Sequence, residues 1–421
     1  MREFIRLPIL RRIGNWRAVG GPRWLGGFII STKMRANRVI TCGCIEPAQI
    51  ERGDVHLIER IAAQWLQLCK EATNDEPFYR PEWVGAYLRA FEPRGGLLLV
   101  TAHMEERLMG VLPLIEENTL FCGFPVRMLR GAANVHSCRF DLVRASGPDG
   151  ELAVKAIWET IKKDTTWDVI ELPYVPSGGA AEQLLRLASG DGFLTGQTES
   201  DETPYIPNLQ HSMLRSGHSH FQSNVRRRMR KAREQWPVRL NRVVTTDPAA
   251  LERFYELESS GWKGKSKTAI ACSPAIRRFY DAIAKAGAQA GYFSLYLLEF
   301  GDTVVAGHFG LAYNGHYYSP KVAYDERFAA YGPGHLIVDA ILRDIADRGF
   351  QGYDFLGPRM EWKTEWTKDL RGHSFCYVFR PGLFGSILYS ARLKVREKLA
   401  EFARRAAFAR VQKWLESRVL G

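Results

Sequence analysis

Residues 317–356 hold the densest set of groups able to do chemistry. An apolar run ends in Lys321, Tyr324 and Asp325, and a short loop closes in Tyr331, Gly332, Pro333, Gly334 and His335. Helical spacing begins there. Glycine lets a backbone approach a ligand closely, and the first turn of a helix offers N–H groups and a positive dipole end to phosphate oxygens. Proline beside glycine also opens helices that bind nothing, so the turn alone leaves both uses open. A second stretch, residues 256–267, ends a helix with Glu258 and sets Trp262, Lys263 and Lys265 in a loop. Its Gly264-Lys265-Ser266 matches the end of a phosphate-binding P-loop. The earlier glycine of that motif falls on Ser259, and the preceding segment reads as helix rather than strand, which excludes it. What remains is a loop that holds an anionic group or lies exposed. A third stretch places Asp354 at a strand end and then Trp362, Lys363 and Trp366. Tryptophans interleaved with Lys and Glu suit stacking on a sugar or cofactor, and equally suit packing over a sheet edge.

These groups need elements to position them. In the first half, apolar spacing predicts helices over 51–72 and 82–91, strands over 96–103, 107–116, 124–129 and 140–143, a helix over 149–163, a strand over 167–172 and a helix over 182–187. The second half repeats that order. A basic helix over 220–235 leads to a strand over 238–244 and a helix over 248–260 that Asp247 caps. A helix over 274–285 follows, then a hairpin of 293–299 and 303–313 across Gly301-Asp302, and a strand over 316–322. A helix over 334–348 and strands over 352–356 and 375–379 complete it. Two halves with one shared order predict a duplicated α+β fold: an antiparallel meander feeding a strand–helix–strand crossover.

The chain has 421 residues, too long for one ordinary core. We therefore expect a basic, poorly ordered segment over 1–40, one domain over 41–215, a second over 216–383, and a basic amphipathic helix over 384–421. No apolar run is long enough to span a bilayer. The seven cysteines are dispersed, with no CxxC pair, which fits reduced thiols in a cytoplasmic protein. The net charge is +12, concentrated near the N-terminus, over 226–233 and after Pro381. Such clusters are solvated faces or surfaces for anionic partners. The last of them allows peripheral contact with an anionic inner membrane.

The three stretches also carry a resemblance. Glu258-x-x-Gly261-Trp262-Lys263-Gly264, Lys321-x-x-Tyr324-Asp325, Tyr331-x-Pro333-Gly334 and Tyr353-Asp354-Phe355 occur in order, followed by Lys363-x-x-Trp366. They resemble motifs of the BioF2-like, or CelD/BcsL, acetyltransferase family. In the first half Asn134-x-His136-x-x-Arg139-Phe140-Asp141 and Trp167-Asp168-x-Ile170 are similar to the same family. The likeness covers roughly residues 75–380. Ser266-Lys267 departs from the glycine-rich spot usual after Trp-Lys-Gly. The resemblance implies tandem GNAT-like folds, mixed sheets flanked by helices, similar to the FemAB-type transferases.

It further implies acyl transfer from a thioester, acetyl-CoA, to a hydroxyl or amine on a small-molecule or saccharide acceptor, in exopolysaccharide, cellulose or cell-envelope synthesis. The donor pyrophosphate is expected on Tyr331, Gly332, Gly334 and His335, and the acceptor near Trp262, Lys263, Lys363 and Trp366. The base is expected among Glu258, Asp325 and Asp354. Tyr324 would protonate the leaving thiolate or orient the donor, and Lys321 would tune neighbours or bind acceptor. No metal is expected, because His211, His218 and His220 lack a ligand set. Two alternatives stand beside this reading. One is a FemAB-like transferase drawing an aminoacyl group from tRNA, the one nucleic acid expected, through the basic residues 226–233. The other is a non-catalytic binding module.

Overall fold

A computed structural model of the chain describes residues 45–200, 202–210 and 220–395. All of these fall within one compact unit. The segment 1–40 and most of the basic helix expected over 384–421 lie outside the described residues. Within them that region forms a helix over Leu383–Tyr389 and a π-turn over Ser390–Val395. No helix among the described residues is long and apolar enough to cross a membrane.

Two mixed sheets form, each flanked by helices, and the fold class is the expected α+β. The first sheet uses β1 (Gln49–Gly53), β2 (Gly96–Met104), β3 (Arg107–Phe121), β4 (Phe124–Gly131), the short β5 (Val143–Arg144), β6 (Val169–Pro176) and β7 (Leu194–Glu199). The second uses β8 (Thr203–Ile206), β9 (Val238–Val243), β10 (Phe293–Phe300), β11 (Thr303–Tyr313), β12 (His316–Tyr324), β13 (Gly352–Asp354) and β14 (Leu370–Arg371). One further strand, β15 (His373–Phe379), returns to the first sheet. The spatial orders are β1-β2-β3-β4-β6-β15-β7 and β9-β10-β11-β12-β13-β8-β14. In each sheet one parallel pair, β4 with β6 and β12 with β13, spans a helical crossover.

The sixth position of each sheet is filled from the other half. β8 directly follows β7 yet pairs with β13, and β15 directly follows β14 yet pairs with β6 and β7. Sheet membership therefore does not divide at 215 and 383 as a serial cut would. Short strands inserted between long ones carry no periodic signal of their own, which is why 194–199, 203–206 and 370–371 escape a pattern reading. Two other boundaries moved for local reasons. The helix expected from 51 begins at Val55, because the Asp54 side chain caps the His56 N–H and residues 49–53 pair with β2. Residues 140–142 are loop, with only Val143 and Arg144 paired to β3.

One apolar core runs through both halves, joining Trp65, Leu98 and Ile157 to Tyr280 and Leu295. At the seam the helix Pro81–Phe91 packs on the helix Pro274–Gln289, with Trp83 edge-on to Phe279 at 5.3 Å. A second core lies between the other face of β10–β13 and the helix Pro333–Asp347, around Leu336, Ile341 and Tyr353.

Candidate active site

The site begins where two neighbouring strands part. β12 pairs with β13 only through His316, Tyr317 and Tyr318. Asp354 ends β13, its carboxylate accepts the Leu356 N–H, and Leu356 turns the chain away at φ 48°. β12 continues alone on that side through residues 319–324. Its other edge carries a bulge, since the register with β11 jumps between Phe309 and Leu311, leaving Gly310 opposite both Ser319 and Pro320. A proline tolerates that place because a bulge asks for no ladder N–H. The resulting gap is a cavity of about 700 Å³ between residues 319–324 and 355–358.

At its mouth stands the N-terminus of the helix Pro333–Asp347. Gly332 precedes it at φ 62°, a left-handed conformation that favours glycine, and Pro333 fills the first helical position. The first-turn N–H groups of a helix have no intrahelical acceptor. Arg228, from the basic helix His220–Gln235, lies against the same point: a Cβ on Gly332 would sit 2.6 Å from its Nη1. His335 adds a buried Nδ1 without a hydrogen-bond partner among the described residues, and burial holds its ring below the usual histidine pKa. The Gly332 N–H is given to the Ala329 carbonyl and the His335 N–H to the Gly332 carbonyl, which leaves the Gly334 amide, a guanidinium and a ring nitrogen to meet a pyrophosphate. Tyr331 does not join them. Its hydroxyl donates to Gln235 Oε1 at 2.7 Å and its ring packs on Trp236, anchoring the basic helix instead.

Deeper in, the lysines sort by partner. Lys263 Nζ donates to Glu258 Oε1 at 2.9 Å and to the Val322 carbonyl at 2.8 Å. Glu258 Oε2 accepts the Ile270 N–H at 2.8 Å, and the residue is almost fully buried. Glu258 lines the cavity, but both of its oxygens are committed to fixing the 261–270 loop. Lys321 lies over the Tyr280 ring, 5.4 Å from its centroid. Among the described residues it has no carboxylate within ion-pair distance. Burial lowers its pKa, Lys263 lowers it further and Glu258 opposes both. Tyr324 stands half exposed at the mouth, and a Cβ on Gly334 would touch its ring at 3.4 Å.

Two expected acids lie elsewhere. Asp325 caps the turn after β12, accepting the Arg327 N–H at 2.9 Å and pairing with its guanidinium at 2.7 Å. Those hydrogen bonds hold it below the ordinary carboxylate range. Asp354 faces a separate cavity of about 290 Å³, with Arg371 at 3.4 Å and the buried Arg139 in contact. Alternation along a strand explains this: Tyr353 and Phe355 point to the core on one face, sending Asp354 to the other. Trp366 packs edge-on to Phe221 behind His335, and Trp362 lines the cavity in its place. Lys363 clamps the far wall by donating to the Leu356 and Pro358 carbonyls. Trp262 opens a short helix, Trp262–Lys265; its side chain lies outside what is described.

The sequence reading singled out Trp362 as a stacking residue but missed Arg228 and Tyr280 as lining residues, and it missed a whole wall. Val135, His136 and Cys138, from the first half, also line the cavity. His136 was visible only as a member of the Asn134-x-His136 run. Burial pushes its pKa down to about 4, Lys321 adding to the effect and Glu258 opposing it. Among the described residues no group of three or more His, Cys, Asp or Glu side chains is arranged to hold a metal.

Comparison with known proteins agrees with this architecture. The acetyltransferase (GNAT) domain model matches residues 219–364. No curated protein matches by sequence. Among solved structures, FemX is similar at 13% identity over 82% of this chain and 99% of that one, with a TM-score of 0.54. L-PGS from Bacillus licheniformis is similar at 11% identity over 82% and 98%, with a TM-score of 0.50. A conserved protein of unknown function from Bacteroides thetaiotaomicron gives 11%, 79%, 100% and 0.50. At these identities the likeness is one of fold. The chain is built of two GNAT-like folds in tandem. The gap between β12 and β13, with a helix N-terminus at its mouth, lies in the GNAT domain that the family model matches.

Proposed function

We propose that this tandem GNAT protein transfers an acyl group from a CoA thioester, with acetyl-CoA as reference donor, to an amine or hydroxyl acceptor. One observation carries the reading: the parted strands β12 and β13 form a cavity with a glycine-opened helix N-terminus and Arg228 at its mouth. The donor pyrophosphate sits on the Gly334 amide beside Arg228, and the thioester arm runs inward along residues 319–324. Holding donor and acceptor in line supplies much of the rate in such a reaction. The acceptor nitrogen or oxygen bonds to the carbonyl carbon, the carbon–sulfur bond breaks, and the thiolate takes a proton from Tyr324. The likeness to the CelD/BcsL family extends the acceptor class to intermediates of exopolysaccharide or cell-envelope assembly.

Titration calorimetry of CoA tests this. Gly334→Glu places a carboxylate where phosphate would lie and should weaken binding by at least roughly 100-fold, the scale of a like charge set against a phosphate site. Asp149→Arg, at the equivalent helix of the first half, should leave it unchanged. Unaltered CoA binding by Gly334→Glu removes the reading.

A second reading rests on the helix that supplies Arg228, which also exposes Arg227, Arg230, Lys231 and Arg233. That face suits the backbone of an aminoacyl-tRNA donor. Binding of tRNA that falls steeply between about 50 and 200 mM salt, without CoA binding, would favour it.

A further inference from the structure

The cavity holds a donor site but, by the partners described above, no free carboxylate. Glu258 is committed to Lys263 and the Ile270 N–H, Asp325 to Arg327, and Asp354 faces another cavity. Other proton-exchanging groups of the lining are Lys321, Tyr280, Cys138 and His136. Lys321 lies over the Tyr280 ring, and burial lowers its pKa. Burial pushes the Cys138 thiol up to about 11 and the Tyr280 hydroxyl well above its usual value, so both stay protonated. His136, its pKa pushed down to about 4, presents a neutral nitrogen lone pair; His335, the other histidine of the lining, stands at the helix N-terminus.

Its ring is also held still. It stacks on Phe91 at 5.6 Å with the planes 2° apart, and Tyr280 meets it edge-on at 5.8 Å. The Asn134 side chain fixes its backbone N–H at 2.9 Å. The Tyr280 hydroxyl lies 3.5 Å from Nδ1. The roles in that contact follow the tautomer, and the Nε2 lone pair a general base needs is present when Nδ1–H donates to the hydroxyl oxygen. Phe91 and His136 belong to the first half, while Tyr280, Lys321 and the donor turn belong to the second.

We propose that His136, carried by the first GNAT fold, is the catalytic base for acyl transfer from a donor bound to the second. The inference rests on the acyltransferase reading above. As the acceptor N–H or O–H attacks the thioester carbonyl, its proton passes to His136 Nε2 while the carbon–nitrogen or carbon–oxygen bond forms. The carbon–sulfur pair leaves as thiolate and is protonated at the donor end, and the imidazolium returns its proton to solvent. Glu258 favours that imidazolium and Lys321 disfavours it, so the proton is held only briefly. On this account neither half is an enzyme alone, since one binds the donor and the other supplies the base.

The test compares the full-length chain with its His136→Gln variant, reading thiol release from acetyl-CoA with two probe acceptors. Water needs a base to attack; hydroxylamine at neutral pH is already a free nucleophile. Hydrolysis should fall about 100-fold or more in His136→Gln, the usual weight of a general base, while hydroxylaminolysis falls by less than about fivefold. Added imidazole should restore hydrolysis, and CoA affinity should be unchanged. Tyr280→Phe, which removes the hydroxyl beside Nδ1, should slow hydrolysis by roughly tenfold with the same selectivity, the scale of losing a group that orients a catalytic imidazole. Equal losses with both probes in either variant, no loss, or CoA binding without thiol release overturns the inference. Absence of CoA binding to the unaltered chain overturns the reading beneath it instead.

Discussion

The crossover helices of the two halves begin alike and end in different uses. Gly147 in the first half and Gly332 in the second both take positive φ, and proline follows each. Asp149 then occupies the place that Gly334 holds, setting a carboxylate at the helix N-terminus where the second half has no side chain. An acid there complements the helix dipole and closes the position to phosphate. The strands differ in the same sense. β12 runs on for residues 319–324 beyond its last pair with β13, whereas β4 ends one residue past its last pair with β6. The space beyond β4 is filled, since a Cβ on Gly131 would meet Phe140 and Pro173 at 2.8 Å. The duplicated fold thus keeps one gap open and fills the other with apolar side chains. The filled half is then free to donate groups to the open one, and its loop 135–138 does so.

Breaking the bond between halves should give the largest effect. Arg139 is fully buried in the first half and pairs with Glu76 at 2.6 Å and with Asp354 of the second sheet. His373, on the returning strand β15, lies 3.2 Å from its Nε. Arg139→Met should cost about 3–5 kcal/mol, the range for removing one partner of a buried ion pair. Urea unfolding measures it. A cost below about 1 kcal/mol would mean that Arg371, at 3.4–3.5 Å from both acids, suffices alone and that the halves are coupled mainly by strand exchange and apolar packing.

Acidification should move one buried group in each half in opposite directions. In the first, burial raises Asp141 to about 6, against the pull of the Ala181 and Ala180 N–H groups. The folded chain therefore binds this proton more tightly than the unfolded one. Its contribution appears as pH falls from about 6 to 3.8 and is lost as pH rises through 6. In the second half, burial lowers His308 to about 3, Lys263 adding to it. The unfolded chain takes that proton first, so stability is lost as pH falls from 6.5 towards 3. Each contribution changes by up to about 1.4 kcal/mol per pH unit within its window. Stability measured from pH 7 to 4 should fall more steeply than in the parent for Asp141→Asn and less steeply for His308→Gln. His136 and His373, both lowered to about 4, act in the same direction as His308, and the single substitutions separate them. Parallel profiles for all three proteins would sink the assignment.

Legibility from sequence followed the same divide between regular and exceptional. Long periodic elements were readable: Pro248–Ser260 with its Asp247 cap, His220–Gln235 and the β10–β11 hairpin stand where spacing put them. The turn before the helix Pro333–Asp347 was readable because glycine favours the left-handed backbone at 332 and proline the first helical position. The reciprocal strands β8 and β15 were not, since which sheet accepts a short strand is decided by tertiary pairing rather than local pattern. The carboxylates misled for a related reason. Sequence shows that Glu258, Asp325 and Asp354 sit near the right loops, but not that each already has a partner. His136 lies far from them in sequence, and only the packing of Phe91 on Phe279 brings its loop to the cavity.

The finest test sets the two opening glycines against each other. Alanine at either must hold a left-handed backbone, at a cost of roughly 1–2 kcal/mol. At Gly147 nothing lies within 4 Å of the added Cβ, so that backbone cost is the whole effect. At Gly332 the Cβ would lie 2.6 Å from Arg228 Nη1, the far end of a flexible side chain, which can swing aside. The two variants should therefore lose similar stability, within about 0.5 kcal/mol of each other, because the extra contact is relieved by rotation of one exposed-end group. They should differ in CoA affinity. Displacing Arg228 removes one charge-assisted hydrogen bond to the pyrophosphate, worth about 1.5–3 kcal/mol, so Gly332→Ala should bind CoA at least roughly tenfold more weakly. Gly147→Ala should bind it as the parent does. Equal weakening in both would mean that the first half also holds donor. Unchanged binding in both would mean that Arg228 does not touch the phosphates and that the grip comes from the Gly334 amide alone.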